Sequence, residues 1–196
     1  APVVTLACQW TEGFSSPPGI SGPVYATAVF NDGRGDALYL GGGFSVAGDA
    51  VAANIARWDG RKWTALGSGV GGGTNPPRVT ALAVFDDGTR PALFAAGTFA
   101  NAGGVRANNI AKWDGSKWAA LGIGLGPGGF GTIPVSALAV FDDGTGPTVY
   151  VSGYFSFQGA TAVEWTVARW DGRTWTRLSA GLPQGYAPSG PWISGI

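Results

Sequence analysis

The chain repeats itself. Three times it runs through an apolar stretch, an Asp-Gly turn and a Gly-containing strand, then Trp-Asp-Gly-x-x-Trp and a leucine. Phe30, Phe85 and Phe141 head the first turn, and Trp58-Asp59-Gly60, Trp113-Asp114-Gly115 and Trp170-Asp171-Gly172 mark the second. Trp63, Trp118 and Trp175 follow at a fixed offset. The period is about 55 residues. A unit of this kind cannot bury its apolar face alone, so neighbouring units must stack. The repeat therefore constrains architecture strongly and says little about a ligand.

The middle unit shows the pattern. Val79 to Phe85 is a short apolar run with small Ala81 and Ala83 on one face and larger Leu82 and Val84 on the other. The division recurs at Ala26 and Ala28 against Val29, and at Ala137 and Ala139 against Leu138 and Val140. A run apolar on both faces predicts a strand buried on both sides, here the innermost strand of each unit. Asp86-Asp87-Gly88-Thr89 predicts a tight hairpin, because Gly supplies positive φ and Asp bonds its own backbone. Leu93 to Phe99 reads as the second strand, with Gly97 marking a bulge or close backbone approach. Ile110 to Trp113 is the third strand and Trp118 to Leu121 the outer one. Each unit is thus a four-stranded antiparallel meander, with both Asp-Gly turns at one end. Longer loops lie at the other: Ser45 to Asn54, Ala100 to Asn109 and Ser156 to Trp165, with links near Gly71 to Arg78 and Gly126 to Pro134.

This order of apolar strand, Gly-containing strand, Trp-Asp-Gly turn and Trp strand resembles the kelch repeat and its relatives in bacterial secreted propellers and fungal cell-cortex marker proteins. The resemblance covers residues 24–178. The chain departs from the kelch pattern in its strand glycines, which are Gly41-Gly42-Gly43, then Ala96-Gly97 and Ser152-Gly153, not a regular doublet. The reading is an all-β β-propeller with three four-stranded antiparallel blades (24–66, 67–121 and 122–178) and partial blade strands at both ends. Trp10 aligns with Trp63, so Val4 to Glu12 within 1–23 reads as the outer strand of a preceding blade. Within 179–196, Trp192 to Ile196 reads as the start of a further inner strand. Propellers hold about four to eight blades, so three leave the array open. The chain is then part of a longer one, or pairs with a copy into a ring of about six blades, or joins copies into a filament. A β-trefoil, also three units of four strands, is the runner-up.

Composition narrows the function. Twelve Lys and Arg balance twelve Asp and Glu for zero formal charge, which argues against a nucleic-acid surface. No apolar run approaches the roughly 18 residues of a membrane span. An apolar content of 45% is too high for a disordered linker. The chain starts at Ala1-Pro2 without Met or a visible signal peptide, which reads as a processed or cloned boundary. The low-charge, Gly-, Thr- and Trp-rich repeat reads as extracellular. Cys8 is the single cysteine, so no disulfide forms within the chain. Its readings are a buried inert thiol or, in a secreted protein, an intermolecular pair or free thiol.

Catalytic residue types are scarce. The chain has no histidine, which removes imidazole bases, Ser-His-Asp triads and most zinc and haem sites. Asp32, Asp59, Asp86, Asp87, Asp114, Asp142, Asp143 and Asp171 recur in the turns and lack the alternating spacing of a calcium loop, so they read as scaffold. The nonrepeated Asp49 and Glu164 are the carboxylates for a glycosidase-type pair. The Gly-rich links lack the Gly-Lys-Ser/Thr ending of a phosphate loop, so no cofactor or metal is expected. The repeated tryptophans read as packing between blades. The nonrepeated aromatics Trp165, Phe157, Phe130, Tyr186 and Trp192 are the candidates for ligand stacking or an interface, with Trp10 and Cys8 at the open end. Arg34-Gly35-Asp36 reads as a chance tripeptide in a turn, and no Asn-x-Ser/Thr site is present. The expected function is a noncatalytic extracellular structural or interaction module that associates with copies of itself or with further blades. A carbohydrate-binding lectin and a part of a longer carbohydrate-active enzyme are the alternatives.

Overall fold

The computed structural model describes residues 19–126, 135–157, 160 and 162–178. They form an all-β structure of antiparallel sheets and contain no helix. The strands are β1 (Val24–Asn31), β2 (Asp36–Gly42), β3 (Val46–Ala47), β4 (Ala50–Val51), β5 (Ile55–Trp58), β6 (Trp63–Ala65), β7 (Val70–Gly71), β8 (Arg78–Asp86) and β9 (Pro91–Thr98). There follow β10 (Asn101–Ala102), β11 (Val105–Arg106), β12 (Ile110–Trp113), β13 (Trp118–Ala120), β14 (Val135–Asp142), β15 (Pro147–Ser156), β16 (Val163–Trp170) and β17 (Trp175–Arg177).

Each repeat builds one four-stranded meander. Sheet 1 is β1-β2-β5-β6, sheet 2 is β8-β9-β12-β13 and sheet 3 is β14-β15-β16-β17. The register is the same each time. Phe30 faces Ala37, Phe85 faces Ala92 and Phe141 faces Thr148 across the first hairpin. Trp58 faces Trp63, Trp113 faces Trp118 and Trp170 faces Trp175 across the last. A bulge recurs at Val24/Ala26, Val79/Ala81 and Val135/Ala137. Gly97 lies opposite the second bulge, where a Cβ would come within 2.2 Å of the Arg78 carbonyl oxygen. Close approach of backbone is the reason for a glycine inside this strand.

The structure has five sheets, not the three expected. The loops Ser45 to Asn54 and Ala100 to Asn109 fold into small hairpins, β3–β4 and β10–β11. Gly48 (φ 57°) and Gly103 (φ 56°) adopt the left-handed conformation their turns need. Strand β7, on the link leaving sheet 1, pairs with β10 and makes the second small sheet three-stranded. Ile20 bridges Ala47 in the same way before sheet 1.

The third repeat differs. Its expected loop Ser156 to Trp165 is shortened at both ends, because β16 begins at Val163 and pairs with β15 through Ser156. One difference stands at the point where the ladder breaks. Asn54 (φ 65°) and Asn109 (φ 71°) stand before β5 and β12 in left-handed backbone and stop the ladder. The equivalent residue is Thr166, whose branched Cβ disfavours that conformation, so the strand runs on. The two asparagines also hold the following link. Asn54 Nδ2 donates to the Val70 carbonyl at 2.9 Å, and Asn109 Nδ2 donates to those of Leu125 and Gly126 at 3.1 Å each.

Sheet 2 lies between the other two, with β8 against β1 and β14. One core cluster, including Phe30, Tyr39, Ile55, Leu66, Leu93, Trp113 and Trp118, joins sheets 1 and 2. A second, including Phe85, Phe94, Ile110, Leu121, Phe155, Trp170 and Trp175, joins sheets 2 and 3. A smaller one backs the outer side of sheet 1 around Leu40 and Phe44. The strand buried on both sides is the second of the first two repeats, not the first strand as expected; in the third repeat β15 alternates between buried and half-buried residues. Ala92 to Thr98 in β9 are all buried, whereas β1 and β14 are largely exposed. A second strand has neighbours on both edges, and β9 also has a sheet over each face, while the first strand is the edge of its own sheet.

Asn109→Ala removes the Nδ2 donor from two carbonyls and forces alanine into positive φ. The expected loss is about 1–3 kcal/mol of unfolding free energy, read from denaturant melts. An equal substitution at exposed Asn101 on β10 is expected to cost less, since its side chain is outside the clamp.

Candidate interaction faces

The recurrent aspartates are engaged within the scaffold. Asn31, Asp86 and Asp142 each accept the backbone N–H two residues on, at 3.0, 3.0 and 2.8 Å, and so close the first turn. The next carboxylate in each repeat pairs with the basic residue before the first Trp. Arg57 Nε lies 3.3 Å from Asp32, Lys112 pairs with Asp87, and Arg169 Nη1 lies 2.9 Å from Asp143. This pairing recurs at Arg57-Trp58, Lys112-Trp113 and Arg169-Trp170, a periodic signal that the turn reading passed over. In the second turn Asp59, Asp114 and Asp171 accept the N–H groups two and three residues on. Burial opposes the charge on Asp32, but hydrogen bonds from Arg34 and Tyr39 outweigh it and hold the carboxyl at about 2. Asp87 is lowered too, burial again opposing and Lys112 and Thr89 prevailing.

The junction between repeats is built twice to one plan. Phe30 shares a core with Trp113 and Trp118 of the next repeat, and Phe85 with Trp170 and Trp175. The second indole N–H reaches back to the preceding repeat. Trp118 Nε1 donates to the Leu66 carbonyl at 2.8 Å, and Trp175 Nε1 to that of Leu121 at 3.0 Å. The Trp-Asp-Gly turn meets the preceding Asp: a Cβ on Gly115 would lie 2.8 Å from the Asp32 carbonyl oxygen, and one on Gly172 3.0 Å from that of Asp87. The tryptophans paired within each repeat have ring centroids 5.0, 5.4 and 5.2 Å apart in tilted geometry.

At the two ends of the row this plan is half complete. Phe141 is 59% exposed, against 3% for Phe30 and 5% for Phe85. Leu178 is 47% exposed, whereas its counterparts Leu66 and Leu121 are buried. Ala137 and Ala139 lie exposed beside Phe141. On the opposite face Trp58 and Trp63 are only half-buried, while Trp113, Trp118, Trp170 and Trp175 are buried. Val29, equivalent to the packed Val84, is 65% exposed. Phe141 and Leu178 read as framework in the sequence because they recur in register. The signal that separates them is position: they close the last unit of the described row.

The nonrepeated aromatics fall into two groups. Trp165 stacks on Tyr154 across the extended hairpin β15–β16, with centroids 5.6 Å apart. Phe157 is half-buried and packs against the core between sheets 2 and 3. Phe130, Tyr186, Trp192, Trp10 and Cys8 lie outside the described residues. Asp49 sits exposed at the β3–β4 turn beside sheet 1, whereas Glu164 is on β16 of sheet 3, where Arg177 Nη1 approaches it to 2.6 Å. The two carboxylates are thus on different repeats. Arg34 is drawn back onto Asp32 by its guanidinium, and Asp36 pairs with Asn31 in the hairpin. Among the described residues no group of three or more His, Cys, Asp or Glu could hold a metal ion, and no helix is long and apolar enough to cross a membrane.

A groove of about 540 Å³ opens where the link of sheet 1 meets sheet 2, lined by Tyr25, Gly43, Phe44, Pro76, Pro77 and Arg78 among others. Tyr25 is 49% exposed.

No family model, no curated protein and no solved structure matches the chain.

The depressed aspartates set an acid limit. Asp32 is ionised at about 2 when folded and near its ordinary 3.8 when unfolded, so between those values the unfolded chain binds more protons and stability rises with pH. Melting temperature is expected to be level above about pH 5 and to fall as pH drops from about 4 through 2. Asp32→Asn is expected to flatten part of that fall.

Proposed function

We propose that the protein is a noncatalytic extracellular β-propeller module of kelch-like blades that self-associates through its open blade ends. The three meander sheets supply the blades, stacked face to face with their first strands adjacent. One observation carries the reading. The chain forms the same inter-sheet junction twice, and among the described residues its two outer faces present the two halves of that junction without a partner, Phe141 exposed on one and Trp58 and Trp63 half-buried on the other. Burying a large apolar side chain contributes about 1.5–3 kcal/mol, so the ends of such a row associate unless covered. The recurrent aspartates in the turns are already bound to backbone N–H groups and to basic side chains of the scaffold, which supports a scaffold and not an active site. The low charge and the Gly-, Thr- and Trp-rich repeat support an extracellular setting.

Light scattering on purified protein, across a concentration series, tests this reading. A mass above one 19.9 kDa chain is expected. Phe141→Asp, at an exposed position, is expected to weaken association at least about tenfold while leaving circular dichroism unchanged. A wild-type chain that stays monomeric throughout overturns the proposal.

A lectin is the second reading, favoured by the groove beside Tyr25. An exposed tyrosine ring suits stacking on a sugar, and the Arg78 guanidinium has no ion-pair partner among the described residues. Binding on a glycan array that Tyr25→Ala abolishes is the expected result for a lectin. An array without hits removes this reading.

A further inference from the structure

The contacts at the two internal junctions divide into a host side and a guest side. The host contributes a Phe, an Asp backbone and a Leu carbonyl: Phe30, Asp32 and Leu66 in sheet 1, and Phe85, Asp87 and Leu121 in sheet 2. The guest contributes two tryptophans and a turn glycine: Trp113, Gly115 and Trp118 in sheet 2, and Trp170, Gly172 and Trp175 in sheet 3. Sheet 3 carries a complete host set, Phe141, Asp143 and Leu178, with no guest among the described residues. The Asp143 side chain is 35% exposed, against 0% for Asp32 and 3% for Asp87. Sheet 1 carries a complete guest set, Trp58, Gly60 and Trp63, with no host among the described residues. Among the described residues no atom beyond its chain neighbours lies within 4 Å of where a Cβ on Gly60 would be, the space filled at Gly115 and Gly172 by the preceding Asp.

We propose that two copies of the chain dock head to tail at both ends and close a ring of six four-stranded sheets. The proposal rests on the self-associating reading above and adds the partner and its register. The Phe141 face of each copy receives the Trp58–Trp63 face of the other, and Trp63 Nε1 donates to the Leu178 carbonyl. A second copy is favoured over an unrelated apolar partner because the surfaces match in more than hydrophobicity. The indole donor and the leucine acceptor stand in the same register that pairs Trp118 with Leu66 and Trp175 with Leu121. An unrelated apolar surface leaves both polar groups without partners, which is costly on burial. The side chains at the open host face repeat those of the second junction closely: Thr145 bonds Asp143 as Thr89 bonds Asp87.

The number of copies follows from the unit. A host–guest contact is heterologous, and repeating it gives a ring if its rotation closes and a filament if it does not. Rings of such sheets hold about four to eight blades. Each chain supplies three, and six is the multiple of three within that range.

The test places a photo-crosslinking benzoylphenylalanine at position 141, where the exposed aromatic is replaced by another. Light and heavy-isotope chains are mixed, irradiated and digested, and the same sample is weighed by light scattering. The expected result is twice the chain mass, with mixed-isotope crosslinks from position 141 to the segment Ile55–Leu66. Crosslinks within one chain to residues 1–18 or 179–196 overturn the proposal, because the chain then covers its own face. Mixed-isotope crosslinks from position 141 to another host face overturn the head-to-tail register but leave self-association standing. Open polymers of many chains overturn the closed ring, again leaving self-association. A wild-type monomer at every concentration overturns both this proposal and the function it rests on.

Discussion

The indole N–H of the second tryptophan in a repeat, bonded to a leucine carbonyl of the repeat before it, fixes how one sheet sits on the next. A cluster of Phe, Leu and Trp alone tolerates sliding, since dispersion and area burial are not directional. The bonds from Trp118 to Leu66 and from Trp175 to Leu121 are directional and buried, and a slip of one residue leaves both partners unpaired at a cost of about 1–3 kcal/mol each. The period of the sequence is the length of chain needed to bring the next indole to the next carbonyl.

Around that junction, polar residues hold shape. Aspartates close both turns of each meander, and one in each repeat also anchors the basic residue of the third strand. Asn54 and Asn109 break the third strand and tie down the outgoing link, so the next sheet starts in a fixed place. Where Thr166 replaces the asparagine, this control is lost and the hairpin lengthens, carrying Trp165 onto Tyr154. The ladder between the second and third strands stops at an asparagine in positive φ and runs on where threonine stands instead.

Much of the meander was legible from residues. Ile110 to Trp113 and the Trp118 strand follow from alternation between Asp-Gly turns, and Gly97 announced a close backbone contact. The small hairpins were not legible as strands, because two-residue strands carry too little periodicity to separate from loop. The Arg57, Lys112 and Arg169 pairs were missed because charge beside an aspartate turn reads as solvated surface until the sheet brings them together. Trp165 and Phe157 attracted notice as unrepeated aromatics, yet one stacks within its own hairpin and the other joins the core. The exposed faces lie instead on residues that do repeat.

The sequence alone determined the repeat, the all-β class, the strand order within each unit and the turns, because local periodicity and turn chemistry act over a few residues. Only tertiary structure decided that Phe30 and Phe85 are buried while Phe141 is not. The three follow the same Ala-Val and precede near-identical turns, and their burial depends on whether another sheet stands beside them in space.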